Sequence, residues 1–246
     1  MIPRAPFDVG KLRWFRSHLR AWSRNNRRRF PWRDTNDPYR VLLAELLLRR
    51  TFARKVVPVY ESFLKAYPDV HALADADVRD VGALVRPLGL RSRSGLMVQT
   101  AGIISNRYDG EVPADEASLL DLPGVGPYAA GAIQVFVGDR PATLPDANFR
   151  RVVTRFWLGR GKASLRSPIS GAELTVARRL LPRSKARDLG YALLDFAALV
   201  CKAQKPECDR CPVCARCLWK TRILNKQQRC QNERNKFSRA GRQART

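Results

Sequence analysis

An all-α fold is predicted for this 246-residue chain by three observations. Apolar residues recur at helical spacing along most of its length, few segments alternate with period two, and a glycine-valine-glycine turn joins two of the helical stretches. Hydrophobic residues make up 45% of the chain, enough for a sizeable core, and the length accommodates one large or two small domains. No internal repeat stands out.

The elements follow in order. Leu12, Phe15, Leu19 and Trp22 mark an amphipathic first helix, and Tyr39 to Leu48 a second, with Asp37 as N-cap and Pro38 at the first helical position. Val56, Tyr60, Phe63 and Leu64 mark a third, which Pro58 is expected to kink or interrupt. Further helices are expected near 94–107, 127–137, 148–158, 173–181 and 188–200. Beyond about residue 221 apolar residues thin out while Lys, Arg, Gln and Asn dominate, which predicts a disordered basic arm over 221–246.

The chain carries 46 Lys and Arg against 22 Asp and Glu, a formal net charge of +24, which points to a polyanionic partner. Arg27 to Arg29, Arg49 with Arg50, Arg150 with Arg151, and the stretch from Lys220 to Arg245 concentrate this charge. Clusters of this kind are the usual contacts to phosphates. No signal peptide and no apolar run long enough to cross a bilayer is visible, so a cytoplasmic, nucleoid-associated protein without membrane contact is expected.

Four cysteines form a ladder, Cys201-x6-Cys208-x2-Cys211-x5-Cys217, and a fifth, Cys214, continues the every-third-residue spacing. In a reducing compartment such a ladder argues for thiolate ligation of a metal rather than disulfides. Spacing alone leaves tetrahedral zinc and a [4Fe-4S] cluster both open. Cys230 stands apart in the tail.

Three local features carry possible chemistry. Glu45 is the one charge in the run Val41 to Leu48. A carboxylate so placed is either functional or held in an i,i+4 ion pair with Arg49. Asp195 has the same setting in 192–199 and reads as structural. Leu122-Pro123-Gly124-Val125-Gly126-Pro127-Tyr128 reads as a helix-hairpin-helix whose glycines and helix-start N–H groups can receive a phosphate oxygen. Asp146 precedes a helical stretch, where it can serve as N-cap, catalyst or both.

Together these pieces resemble the helix-hairpin-helix Gly-Pro-Asp superfamily of DNA base-excision glycosylases. The likeness spans about Phe30 to Cys217 through Phe30-Pro31-Trp32-Arg33, Ala44-Glu45-Leu46-Leu47-Leu48-Arg49-Arg50-Thr51, Leu122 to Gly126, Asp146-Ala147-Asn148 and the cysteine ladder. The resemblance implies a two-lobed fold: a six-helix hairpin domain over 30–139, and a cluster domain built from both chain ends, 1–29 and 140–220. It also implies a [4Fe-4S] cofactor on Cys201, Cys208, Cys211 and Cys217.

Within the superfamily, the endonuclease III branch carries a Schiff-base lysine where this chain has Tyr128, and a phenol cannot form an imine. The MutY adenine branch usually shows Gln-Gln where Arg49-Arg50 stand, and has a further C-terminal domain. The Mig-type thymine-DNA glycosylases look most similar, sharing Glu-x-Leu-Leu-Arg-Arg-Thr, Gly-Val-Gly-x-Tyr and Asp-Ala-Asn-Phe. The resemblance therefore implies a monofunctional, monomeric hydrolase removing thymine or uracil mispaired with guanine in double-stranded DNA, functionally beside a cytosine-5 methyltransferase. Asp146, Glu45 and Tyr128 would be catalytic. Arg49, Arg50, Gly124, Val125, Gly126 and Lys202 would contact DNA. The alternatives are a MutY-like adenine glycosylase and a non-catalytic iron-sulfur DNA-binding protein.

Overall fold

The structure, a computed structural model, describes residues 8–49, 51–161 and 168–225. Among these residues there is no strand, as the helical periodicity predicts. Arg50, Cys230 and all of 226–246 lie outside the described residues, and with them the DNA contact expected for Arg50 and most of the expected tail. Residues 221–225, placed in that tail, belong to a helix over 218–225.

The chain forms two compact units, one of Asn26–Pro145 with Leu181–Tyr191, the other of the N-terminal segment to Asn25, Asp146–Leu180 and the chain from Ala192. The expected boundaries at 30 and 139 differ from these at 26–29, 140–145 and 181–191, which fall with the hairpin unit. The physical reason is specific. Asp139 accepts from Lys185 N and Arg187 N, Arg187 donates to the carbonyls of Arg33 and Thr35, and Tyr191 stacks on Phe136 at 4.1 Å.

After the first helix, α1 (Val9–Ser23), which belongs to the other unit, the hairpin unit holds α2 (Pro38–Leu47), α3 (Ala53–Ala66), α4 (Val70–Ala74), α5 (Val78–Val85), α6 (Ser94–Arg107), α7 (Glu116–Leu120) and α8 (Pro127–Phe136). α4 and α5 pack on α6, and α2 packs on α3 and α8. Leu43, Leu47, Phe63, Ile104, Leu119, Leu122 and Phe136 fill the core. Asp37 caps α2 by accepting from Tyr39 N and Arg40 N, with Pro38 behind it. α3 runs through Pro58 without interruption. Pro58 and Arg54, whose carbonyl loses its helical donor, are both exposed, so water can replace that hydrogen bond.

Three short helices escape the periodicity. α4, α5 and α7 have five, eight and five residues, too few to repeat an apolar pattern. Each carries an aspartate N-cap, Asp69, Asp77 and Asp115, which accept from Ala72 N, Arg79 N and Ser118 N.

In the second unit, α1 (Val9–Ser23) buries Leu12, Phe15 and Leu19, and α9 (Ala147–Leu158) packs on α10 (Gly171–Leu180). α11 (Ala186–Leu199) contributes its second half, where Trp22 meets Phe196 edge-on at 5.8 Å. Asp195 is wholly buried there, consistent with a structural role.

Candidate functional site

The hairpin turn is built from residues that could do little else. Gly124 has φ +78°, a region costly for any residue with a Cβ. Val125 is buried and donates its N–H to Leu122 O at 3.0 Å, which draws the turn closed. Gly126 caps α8, and Pro127 occupies the first helical position, where its missing N–H costs nothing. The N–H groups of that first turn have no intrahelical acceptor and carry the positive end of the helix dipole, so they suit a phosphate oxygen.

Two side chains hold the turn from outside. Thr100 Oγ1 donates to Pro123 O at 2.5 Å, and Arg49 Nη1 donates to Gly124 O at 2.6 Å. Arg49, expected to contact DNA, thus also braces the hairpin. Behind the turn, a Cβ on Gly131 would lie 2.1 Å from Thr143 O. Glycine there lets the segment ending at Pro145 press against α8.

Glu45 sits within α2 and is only 7% exposed, while Tyr128, in the first turn of α8, is half-buried. The packing of α2 on α8 brings these two helices together. Near Glu45 the Tyr191 phenol is pushed up to about 12, first by burial and further by the Glu45 charge, against the lowering effect of Arg187, Arg33 and Arg27. Arg33 is buried and stacks its guanidinium over Tyr191 at 4.5 Å. Glu45 is therefore a buried carboxylate in a setting of aromatic and arginine side chains.

Asp146 caps α9. Its Oδ1 accepts from Phe149 N at 2.6 Å and its Oδ2 accepts from Asn148 Nδ2 at 2.8 Å, so both oxygens are oriented. Burial raises its pKa above the usual carboxylate range, outweighing the lowering by those hydrogen bonds and by Arg151. The carboxylate is thereby rigid and more basic than an exposed aspartate.

A hydrogen-bonded chain leads from this carboxylate to the cysteine loop. Asn148 Oδ1 accepts from Arg151 Nη2 at 2.9 Å, and Arg151 Nε donates to Cys201 O at 2.7 Å. One turn on, Arg155 donates to Lys202 O at 2.6 Å and Ala203 O at 3.0 Å, and lies 3.5 Å from Cys201 Sγ. Arg150 pairs with Glu173 at 3.3 Å. Arg150 and Arg151 are only 6% and 8% exposed, which corrects their expected place among phosphate contacts. Their charges are spent inside the protein, because α9 is enclosed on the faces that carry them. The role of Asn148 and Arg151 was not read from the sequence, although their spacing on α9 was visible.

Cys201, Cys208, Cys211, Cys214 and Cys217 line one cavity, and none is in a disulfide. Two 3-10 turns, Cys208–Arg210 and Cys214–Arg216, wind the ladder around it. Burial pushes the Cys208 and Cys217 thiols up, and that of Cys211 to about 12. Among the described residues no three His, Cys, Asp or Glu side chains converge as a single ion would require. A [4Fe-4S] cluster makes a different demand, one cysteine for each iron, so its ligands ring a volume instead of meeting at a point. Lys202 donates to the Glu207 carboxylate, and Arg210 pairs with the same residue at 3.3 Å. The positive charge of this loop is thus partly compensated.

Among the described residues no helix is long and apolar enough to cross a membrane. Residues 107–133 match the helix-hairpin-helix motif. A thymine-DNA glycosylase of Aeropyrum pernix is 38% identical over 216 residues, 86% of this chain and 96% of that protein. A thymine/uracil-DNA glycosylase of Pyrobaculum aerophilum is 38% identical over 218 residues, 87% of this chain and 92% of that protein. The solved structure of a thermostable thymine-DNA glycosylase matches with a TM-score of 0.80 at 33% identity, over 87% of this chain and 98% of that one. With the capped aspartate, the hairpin and the cysteine loop in place, these likenesses assign the chain to the thymine/uracil-DNA glycosylase family of helix-hairpin-helix proteins.

Proposed function

We propose that the chain hydrolyses the N-glycosidic bond of thymine or uracil mispaired with guanine in duplex DNA, without strand-cleaving lyase chemistry. The observation that carries this reading is the Asp146 carboxylate, held through both oxygens at the start of α9 and made more basic by burial. The mispaired nucleotide leaves the stack at a cost of a few kcal/mol, reduced by its weak pairing. As the bond to the base breaks, positive charge develops on the sugar. Asp146 stabilises that charge and takes a proton from the water whose oxygen bonds to the anomeric carbon. The base departs as an anion.

Glu45 and Tyr128 are assigned to the base, Glu45 reading the pyrimidine edge and Tyr128 packing on it or hydrogen-bonding to it. Gly124, Val125 and Gly126 present backbone to a flanking phosphate, and Arg49 and Lys202 add charge. Tyr128 stands where imine chemistry requires an amine, which supports hydrolysis alone. Cys201, Cys208, Cys211 and Cys217 are assigned to a [4Fe-4S] cluster. When bound, the cluster supplies structural cross-linking and no redox step, and its presence is checked by iron content and visible absorbance. The substrate places the protein in base-excision repair of deaminated cytosine and 5-methylcytosine, beside a cytosine-5 methyltransferase.

Asp146→Asn tests the assignment, because Asn caps a helix as well as Asp does. Thermal stability and T:G binding should persist while base release from end-labelled T:G and U:G duplexes falls by about 10²-fold or more. Equal loss of binding and stability would reduce Asp146 to a cap. Release from the adenine strand of A:G duplexes by the wild type would move the activity to adenine.

A further inference from the structure

The first helix carries a feature that neither the hairpin nor the cysteine loop uses. Arg13, Arg16, Ser17, Arg20 and Arg24 line one hollow, and their i, i+3, i+4, i+7 and i+11 spacing puts them on a single face of α1, away from buried Leu12, Phe15 and Leu19. Among the described residues no carboxylate pairs with any of the four arginines. Asp8, the acidic residue nearest in sequence, is engaged as the N-cap of α1, accepting from Lys11 N.

Part of the arrangement has an internal explanation. Arg16 donates to Leu180 O at 3.0 Å and Arg179 O at 2.5 Å, so it satisfies the carbonyl end of α10. Arg20 and Arg24 lie at the C-terminal end of α1, where positive charge suits the helix dipole. Neither fact accounts for the rest. Arg13 is exposed and nearly three turns from that end, and the Arg16 guanidinium is made less basic by burial and by the Arg20 charge. Arg20 Nε is buried with no hydrogen-bond partner among the described residues. Four guanidinium groups crowded on one face repel one another unless an external anion completes the site.

We propose that this face of α1 is a second phosphate-backbone site for duplex DNA, independent of the hairpin. The stripe from Arg13 to Arg24 rises about 16 Å, close to the rise of five nucleotides along one strand, so it can address several consecutive phosphates. Exposed Arg178 and Arg179, in the last turn of α10 that Arg16 grips, extend the positive field. Arginine suits this use because its planar fork can give two parallel bonds to one phosphate. The choice of DNA as the polyanion rests on the glycosylase reading above. Function follows directly: the site adds sequence-independent affinity and lets the protein stay on DNA between mismatches.

The test leaves Arg16 in place and compares wild type with Arg13→Gln/Arg20→Gln/Arg24→Gln and with the corresponding triple lysine variant. Affinity for a fluorescent T:G duplex is followed against salt. The logarithmic salt slope of the glutamine variant should shrink by about two to three, and that of the lysine variant should stay near wild type. Single-turnover base release at saturating protein should not change. Equal slopes in folded wild-type and glutamine proteins would overturn the proposal. Should the glutamine variant not fold, phenylglyoxal modification of wild type decides, since duplex DNA should protect Arg13 and Arg24. Absence of protection, or protection by poly-glutamate and not by DNA, would overturn it too. Base release by wild type is scored separately, so failure of the glycosylase reading and failure of the α1 site are distinguishable.

Discussion

The hairpin unit and the cysteine unit hold their candidate functional groups by opposite means. In the hairpin unit the working parts are backbone, shaped by Gly124, Gly126, Pro127 and the buried Val125, all within one short segment. In the cysteine unit the working parts are side chains, and Arg151, held by Asn148, and Arg155 tie α9 to a loop some fifty residues further along the chain. Backbone placed by local conformation resists single polar substitutions but not a misplaced Cβ. Side chains placed by a hydrogen-bonded relay show the reverse sensitivity.

The largest effect expected from this contrast is at Arg151. Arg151→Ala would strip Asn148, Cys201 O and Ala197 O of a buried donor. A loss of about 2–4 kcal/mol in unfolding free energy is expected, about 1–3 kcal/mol of it from the buried Ala197 O and the rest from the part-buried Asn148 and Cys201 contacts, the latter still reached by Arg155. Base release should slow as well, because Asn148 would no longer hold Asp146. Denaturant unfolding together with single-turnover kinetics checks both, and unchanged stability would end the contrast. The complementary change is Gly131→Ala, whose new methyl would meet Thr143 O at 2.1 Å. It should cost about 1–3 kcal/mol by overpacking, with the Asp146-to-Cys201 relay intact.

Arg49→Ala sharpens the comparison within the hairpin unit. It removes the donor to Gly124 O at an exposed site, so stability should fall by about 1 kcal/mol or less, with a larger loss in affinity for mismatched duplex than in maximal base release. Titration by urea and by duplex separates the two.

The smallest expected effect is on pH dependence. The folded pKa of Asp146 is raised by burial, so folding binds its proton more tightly than the unfolded chain does. Its contribution to stability is therefore full below the unfolded value and declines as pH rises through the folded one. Catalysis needs the ionised form, so base release should fall as pH drops through that same raised value, above the ordinary carboxylate range. A rate profile flat down to the ordinary aspartate range would argue against Asp146 as the base.

How much could be read beforehand divides along similar lines. The hairpin, the capping of α2 by Asp37 and the cysteine ladder were legible because each is set by residues a few positions apart. α4, α5 and α7 were missed because helices of five to eight residues offer no period, although their aspartate caps were present. The reading of Arg150 and Arg151 as phosphate contacts failed because charge in a sequence carries no information on enclosure.

By itself, then, the sequence determined the helical class, the turn chemistry, the polyanionic character and the family landmarks, all of which follow from local spacing and composition. Only tertiary structure decided which arginines are spent on internal carbonyls and carboxylates, such as Arg151 and Arg150, and which line an open hollow with no carboxylate partner among the described residues, as Arg13, Arg20 and Arg24 do. The reason is physical. A guanidinium costs free energy to bury unless acceptors surround it, and those acceptors are brought by segments distant in the chain.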